Sequence, residues 1–145
     1  MIKNKLIILY VLILILNTCK FQLSKNSMSV NHDSIEKLKT LSLQDNFKAE
    51  ENDLYTGVHE PLLKDNLNKK FKSVIDSFIH AIENKTSKSE YIDLLRKSIN
   101  NFNRYNLDTE DAEHVAYNFK EIMDIIGLDS SEGILNEWLY DFDPK

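Results

Sequence analysis

Apolar positions recur along most of the chain at intervals of three and four residues, and no stretch shows the strict alternation of a half-buried strand. The longest stripe follows Pro61, a residue suited to a first helical turn because its missing N–H is not needed there. Leu63, Leu67, Phe71, Val74, Ile75, Phe78, Ile79 and Ile82 then fill an arc of about 160° at 100° per residue, the broad stripe of a core helix. Asn84-Lys85-Thr86 closes it. Ser87-Lys88-Ser89-Glu90 has the form of a capping box, and the helix it opens carries Tyr91, Leu94, Leu95, Ile99 and Phe102 on one face, ending near Arg104.

Asp108-Thr109 caps a further helix, whose Ala112, Val115, Ala116, Phe119, Ile122, Met123 and Ile126 lie within about 120° of arc. Gly127 stops it, because glycine adopts the left-handed conformation at little cost. A short last helix starts at Ser130 or Ser131 and carries Ile134, Leu135, Trp138, Leu139 and Phe142, with Trp138 expected to be buried against the helix after Pro61 and the helix after Asp108. Upstream, Asp33 or Ser34 caps a first helix with Ile35, Leu38 and Leu41, and residues 47–60 read as a loop. Short connections favour antiparallel neighbours, so the expected fold is all-α, a compact bundle of four to five helices in one domain.

The N-terminus follows another pattern. Lys3 and Lys5 precede an unbroken apolar run of 11 residues, Leu6–Leu16. As a helix it spans roughly 16 Å at about 1.5 Å per residue, whereas a bilayer core needs about 20 residues. A basic start and a short apolar core form a secretory signal. Leu16-Asn17-Thr18-Cys19 then resembles the bacterial lipoprotein signal, with leucine three residues before the cysteine; Thr18 stands where Gly, Ala or Ser is usual. Cys19 is the chain's one cysteine and directly follows the apolar core. It offers a thiol for diacylglycerol and, after cleavage, a new amine for another acyl chain, and two chains anchor a protein stably. The expected organisation is a signal peptide over 1–18, a lipidated cysteine and flexible Ser-, Asn- and Lys-rich tether over 19–33, and a helical domain over 34–145. The expected location is the cell envelope, as a membrane-anchored lipoprotein on the periplasmic or outer face. The alternative is a secreted or signal-anchored protein with an incidental cysteine.

Composition narrows the function classes. Of 61 apolar residues, 13 fall in residues 1–18, leaving 48 in the remaining 127, about 38% and enough for a packed core. Three glycines argue against a β-rich fold and a phosphate-cradling loop, and one cysteine rules out a disulfide framework or thiolate zinc site. Without Lys3 and Lys5 the chain holds 16 basic and 23 acidic side chains, a net charge of −7. That balance opposes nucleic-acid binding, which needs basic patches to displace counterions. Lysine outnumbers arginine by 16 to 2.

Opposite the apolar stripe of the helix after Asp108 lie Glu110, Glu113, His114, Tyr117, Glu121 and Asp124. Helical spacing sets Tyr117 among four of these carboxylates, so this face is the candidate binding surface for a basic protein partner, with Tyr117 as anchor. A merely solvated face, its first acids favoured by the helix dipole, is the alternative. Asp111 and His114 stand at i, i+3, as in di-iron bundles, but such sites use the pair twice and face inward, while the nearest second pair, His80 and Glu83, is reversed. No metal, cofactor or catalytic residue is therefore assigned. No serine sits in a Gly-x-Ser-x-Gly elbow. His59, beside Glu60 in a loop, leaves a small envelope hydrolase using carboxylates or His59 as the second reading, behind a non-enzymatic interaction module.

Several segments together resemble a bacterial domain-of-unknown-function family, number 4844. They are Leu107-Asp108-Thr109-Glu110-Asp111, Glu121-Ile122-Met123-Asp124-Ile125-Ile126-Gly127-Leu128, Ser130-Ser131, Gly133, Leu135-Asn136, and Trp138-Leu139-Tyr140 with Phe142. Tyr55-Thr56-Gly57-Val58-His59 resembles the family's mid-domain loop. The likeness covers roughly residues 34–143. It implies a small helical domain with no assigned activity, carries over no site residue, and does not supply the lipoprotein-like leader.

Overall fold

The structure is a computed structural model that describes residue 28, residues 30–50 and residues 55–141. Five α-helices follow one another among the described residues: α1 (His32–Ser42), α2 (Pro61–Glu83), α3 (Lys88–Ile99), α4 (Thr109–Ile126) and α5 (Ile134–Tyr140), with a 3-10 turn at Arg104–Asn106. The molecule is an all-α bundle. Helix α1 packs on α2 and α4, α2 on α3, α3 on α4, and α5 on α3 and α4. Where α2 faces α4, large rings bridge them: Phe71 and Phe119 meet edge to face at 6.1 Å. Phe102, after α3, joins Phe119 at 5.6 Å. Such offset ring pairs add to the burial of their area.

The helix edges follow local chemistry. At α3 both halves of the capping box form: the Ser87 hydroxyl oxygen accepts the Glu90 N–H at 3.4 Å, and the Glu90 carboxylate accepts the Ser87 N–H at 2.9 Å. These bonds hold the Glu90 carboxyl below its ordinary value. The Asp108 carboxylate accepts the Asp111 N–H at 2.8 Å to open α4, and Gly127 ends it at φ 72°.

Three edges differ from the sequence expectation. Helix α1 starts two or three residues early, because the Asn31 side-chain oxygen takes the capping role on the Asp33 N–H at 2.9 Å. Ser34 instead turns inward and donates to the Ile125 carbonyl at 2.8 Å. Helix α3 stops at Ile99, five residues before Arg104; Asn103 caps the separate 3-10 turn through the Tyr105 N–H at 3.2 Å, while Phe102 stays in the core. Helix α5 starts only at Ile134, because Ser130 caps the Glu132 N–H and both Glu132 and Gly133 are left-handed. Trp138 is half-buried rather than buried, and sits on a helix whose main packing is against α3 and α4. Its indole N–H donates to the Phe102 carbonyl at 3.1 Å.

Candidate functional site

The candidate face of α4 is partly roofed by the connection between α1 and α2. Residues 47–50 and 55–58 run side by side there, with the Val58 N–H donating to the Phe47 carbonyl at 3.1 Å and the Glu50 N–H to the Tyr55 carbonyl at 2.9 Å. Gly57 permits this clip. Its φ is +76°, and a Cβ there would stand 2.5 Å from the Ala49 amide nitrogen. Below the clip, Asn46 ties the segment down twice. Its carbonyl accepts from the Asn118 amide at 3.1 Å and from His114 Nε2 at 2.9 Å, while its N–H donates to Asn68 at 2.9 Å.

His114 is therefore half-buried and not part of an open face. Because the Asn46 carbonyl can only accept, Nε2 carries the proton and Nδ1 faces Glu50 at 3.8 Å. Burial holds the imidazole below its ordinary value, against the opposing pull of the Asn46 carbonyl, Glu50 and Asp111. The ring stacks on Tyr55 at 3.8 Å and 12° between planes, and meets Phe47 edge-on at 5.9 Å. The Tyr55 hydroxyl donates to the buried Asp111 carboxylate at 2.7 Å. Burial and that carboxylate push the phenol well above its ordinary value.

On the outer side of His114 lies Tyr117, 57% exposed and stacked at 5.9 Å and 23°. Tyr55, His114 and Tyr117 thus form three tiers from the interior to the surface. Tyr117 and His114 line a cleft of about 550 Å³ together with Asp45, Lys48, Glu50 and Glu121. Burial, followed by the neighbouring Asp124, raises the Glu121 carboxyl above its ordinary value. Burial would also raise Asp45, but hydrogen bonds from Asn68 and the Phe47 N–H, with the Lys64 ammonium at 3.3 Å, hold it below.

Of the residues singled out in the sequence, His114, Tyr117 and Glu121 line the cleft, while Glu110, Glu113 and Asp124 do not. Glu110, Glu113 and Asp124 are exposed. His59 is exposed and absent from the cleft lining. Cys19 lies outside the described residues. Sequence reasoning missed Tyr55, Asn46, Glu50, Asp45 and Asn118. The one signal for Tyr55 was its place in the Tyr-Thr-Gly-Val-His loop; for Asp45, Asn46 and Glu50 nothing in the spacing pointed to α4. Among the described residues no group of three or more His, Cys, Asp or Glu is placed to hold a metal, and no helix is long and apolar enough to cross a membrane.

Fold and cleft define a small all-helical domain whose connection between the first two helices is folded onto the fourth. The chain belongs to the family described as "Domain of unknown function (DUF4844)", which it matches over residues 29–143. It is also similar to the crystal structure of a DUF3571 family protein from Acinetobacter baumannii AYE, with 39% sequence identity and a TM-score of 0.71, over 74% of this chain and 89% of that one. No curated protein matches the chain.

Proposed function

We propose that this domain is a non-enzymatic interaction module that receives a basic segment of a partner protein in the cleft between residues 44–50 and α4, at the cell envelope, held there by lipid on Cys19. The observation that carries the binding part is the three-ring tier ending in exposed Tyr117 at the mouth of the cleft. A ring fixed from behind loses little freedom on binding, and its face attracts an ammonium or guanidinium group by cation–π interaction. Inside, Glu50 and Glu121 supply carboxylates beside the Lys48 ammonium, while Asp45 is already paired with Lys64. Burial and the neighbouring Asp124 raise Glu121, and an incoming lysine or arginine would favour its charged form. The net charge of −7 from Cys19 onward favours a basic partner over nucleic acid.

The test begins with affinity capture from envelope extracts, with partners identified by mass spectrometry, followed by binding kinetics. Tyr117→Ala should weaken binding mainly through faster dissociation, and Glu113→Gln with Glu121→Gln should slow association and flatten its salt dependence. Neither change should unfold the domain, since Tyr117 and Glu113 are exposed and Glu121 makes no hydrogen bond or ion pair among the described residues. Variants that bind like wild type at every salt concentration would reduce this face to a solvated surface.

A further inference from the structure

A second cleft, of about 510 Å³, lies at the C-terminal end of α3, between α3, the 3-10 turn and α5, and shares no lining residue with the first. Both of the chain's arginines line it, in a sequence that otherwise uses lysine for positive charge. So do Trp138 and Tyr105. Neither ring pairs with another ring among the described residues, whereas Phe47, Phe71, Phe78, Phe102, Phe119, Tyr55, Tyr91 and Tyr117 each meet another ring edge-on or stacked.

Each of these groups is fixed from one side and open on another. Arg104 donates through Nε to the Leu139 carbonyl and through one terminal nitrogen to the Leu107 carbonyl, both at 3.3 Å, and its other terminal nitrogen makes no hydrogen bond among the described residues. Arg96 holds Glu137 at 3.2 Å through one nitrogen. Trp138 is pinned by its N–H, and Tyr105, 80% exposed, by its hydroxyl 3.3 Å from Asp141. Arg96 and Arg104 are matched in number by Glu137 and Asp141, so the formal charge of the lining sums to zero. What it offers is two ring faces and a set of planar donors and acceptors that can grip neighbouring hydroxyls in pairs. The size falls in the range of small-molecule sites, about 300–1,000 Å³.

We propose that this cleft is a saccharide-binding site, in which Trp138 and Tyr105 take the C–H face of a neutral sugar ring and Arg96, Arg104, Glu137 and Asp141 bind its hydroxyls. Trp138 is the chain's one tryptophan and reports directly on occupancy. The experiment titrates the full chain, kept in solution in lipid nanodiscs, with chitotriose, cellotriose and maltotriose while tryptophan emission is followed. Sodium glutarate and spermidine serve as anionic and cationic controls. The expected result is a saturable change with at least one trisaccharide at a Kd of about 1 mM or tighter, unaffected by salt between 50 and 500 mM as a neutral ligand requires. Tyr105→Ala and Arg96→Ala, both at exposed positions outside the core, should each weaken it at least tenfold, with an unchanged melting temperature. No response to any of the three sugars up to 10 mM would overturn the proposal. So would a salt-sensitive response to glutarate or spermidine alone, or sugar binding that survives both substitutions.

Discussion

Tyr55 reaches across 56 residues of sequence to give its hydroxyl to Asp111, whose side chain is otherwise shut away from water. Tyr55→Phe keeps the ring on His114 but leaves that carboxylate without its partner, which costs about 1–3 kcal/mol in a buried setting. A urea unfolding midpoint equal to wild type would show that water replaces the hydroxyl freely. The stacked His114 imidazole supplies a pH dependence. Its folded value lies below the ordinary 6.5 because burial disfavours the charged ring. Between the two values the unfolded chain binds more protons, so stability falls as pH drops from about 6.5 through the folded value and then levels off. Glu121 acts with the opposite sign: its raised carboxyl stabilises the fold as pH falls through its folded value towards 4.5. An NMR titration separates the two groups, and a His114 midpoint at or above 6.5 would contradict the buried, neutral ring. At this scale the sequence was legible only in part. The Asp111–His114 spacing was visible, but its purpose was not, because both residues serve Tyr55 and Asn46, whose distance from α4 in space no helical period encodes.

Elements were legible where a signal is local. Pro61, the Ser87–Glu90 box, Asp108 and Gly127 act within a turn of their own residue, and the helices begin or end where those residues stand. Edges governed by competition were not. Several residues before α1 are able to cap, and Asn31 rather than Asp33 does so; Ser130 satisfies a turn rather than a helix. The α1–α2 connection read as a loop because its pairing is made of two backbone bonds, not of an apolar alternation. Two glycines separate conformational cost from crowding. Gly127→Ala meets nothing within 4 Å, so its penalty is the left-handed backbone alone, about 1–2 kcal/mol. Gly57→Ala adds approaches of 2.5 Å to the Ala49 nitrogen and 2.9 Å to the Lys48 carbonyl carbon, backbone atoms that cannot swing aside. It should destabilise more, and should loosen the clip over His114 so that amide exchange at Val58 and Glu50 quickens. Equal melting shifts for the two variants, with unchanged exchange, would rule out the clip as a rigid roof.

For the molecule as a whole, periodicity identified a helical bundle because each apolar stripe needs a neighbour, and the core joins all five helices through residues such as Leu38, Phe71, Leu95, Phe119 and Ile134. What periodicity could not give was which polar face stays open. Helix α4 is roofed over His114 and bound to α1 through Ser34 and Ile125, so only part of its polar surface meets solvent. The same core bears on the expectation about Cys19. Among the described residues Met28, nine positions after that cysteine, is the first that packs against the core. If the Leu16–Cys19 signal is read by the cell, intact-mass analysis of the membrane fraction should find a chain starting at Cys19 with added acyl mass, and two or more acyl chains would hold it there stably. Cys19→Ala should release the protein from the membrane or leave its precursor uncleaved, while the domain melts at the wild-type temperature. A chain still carrying Met1 in wild-type membranes, or an unlipidated soluble form, would remove the lipid from this account. A melting temperature lowered by Cys19→Ala would show that the segment before Met28 contributes to the fold.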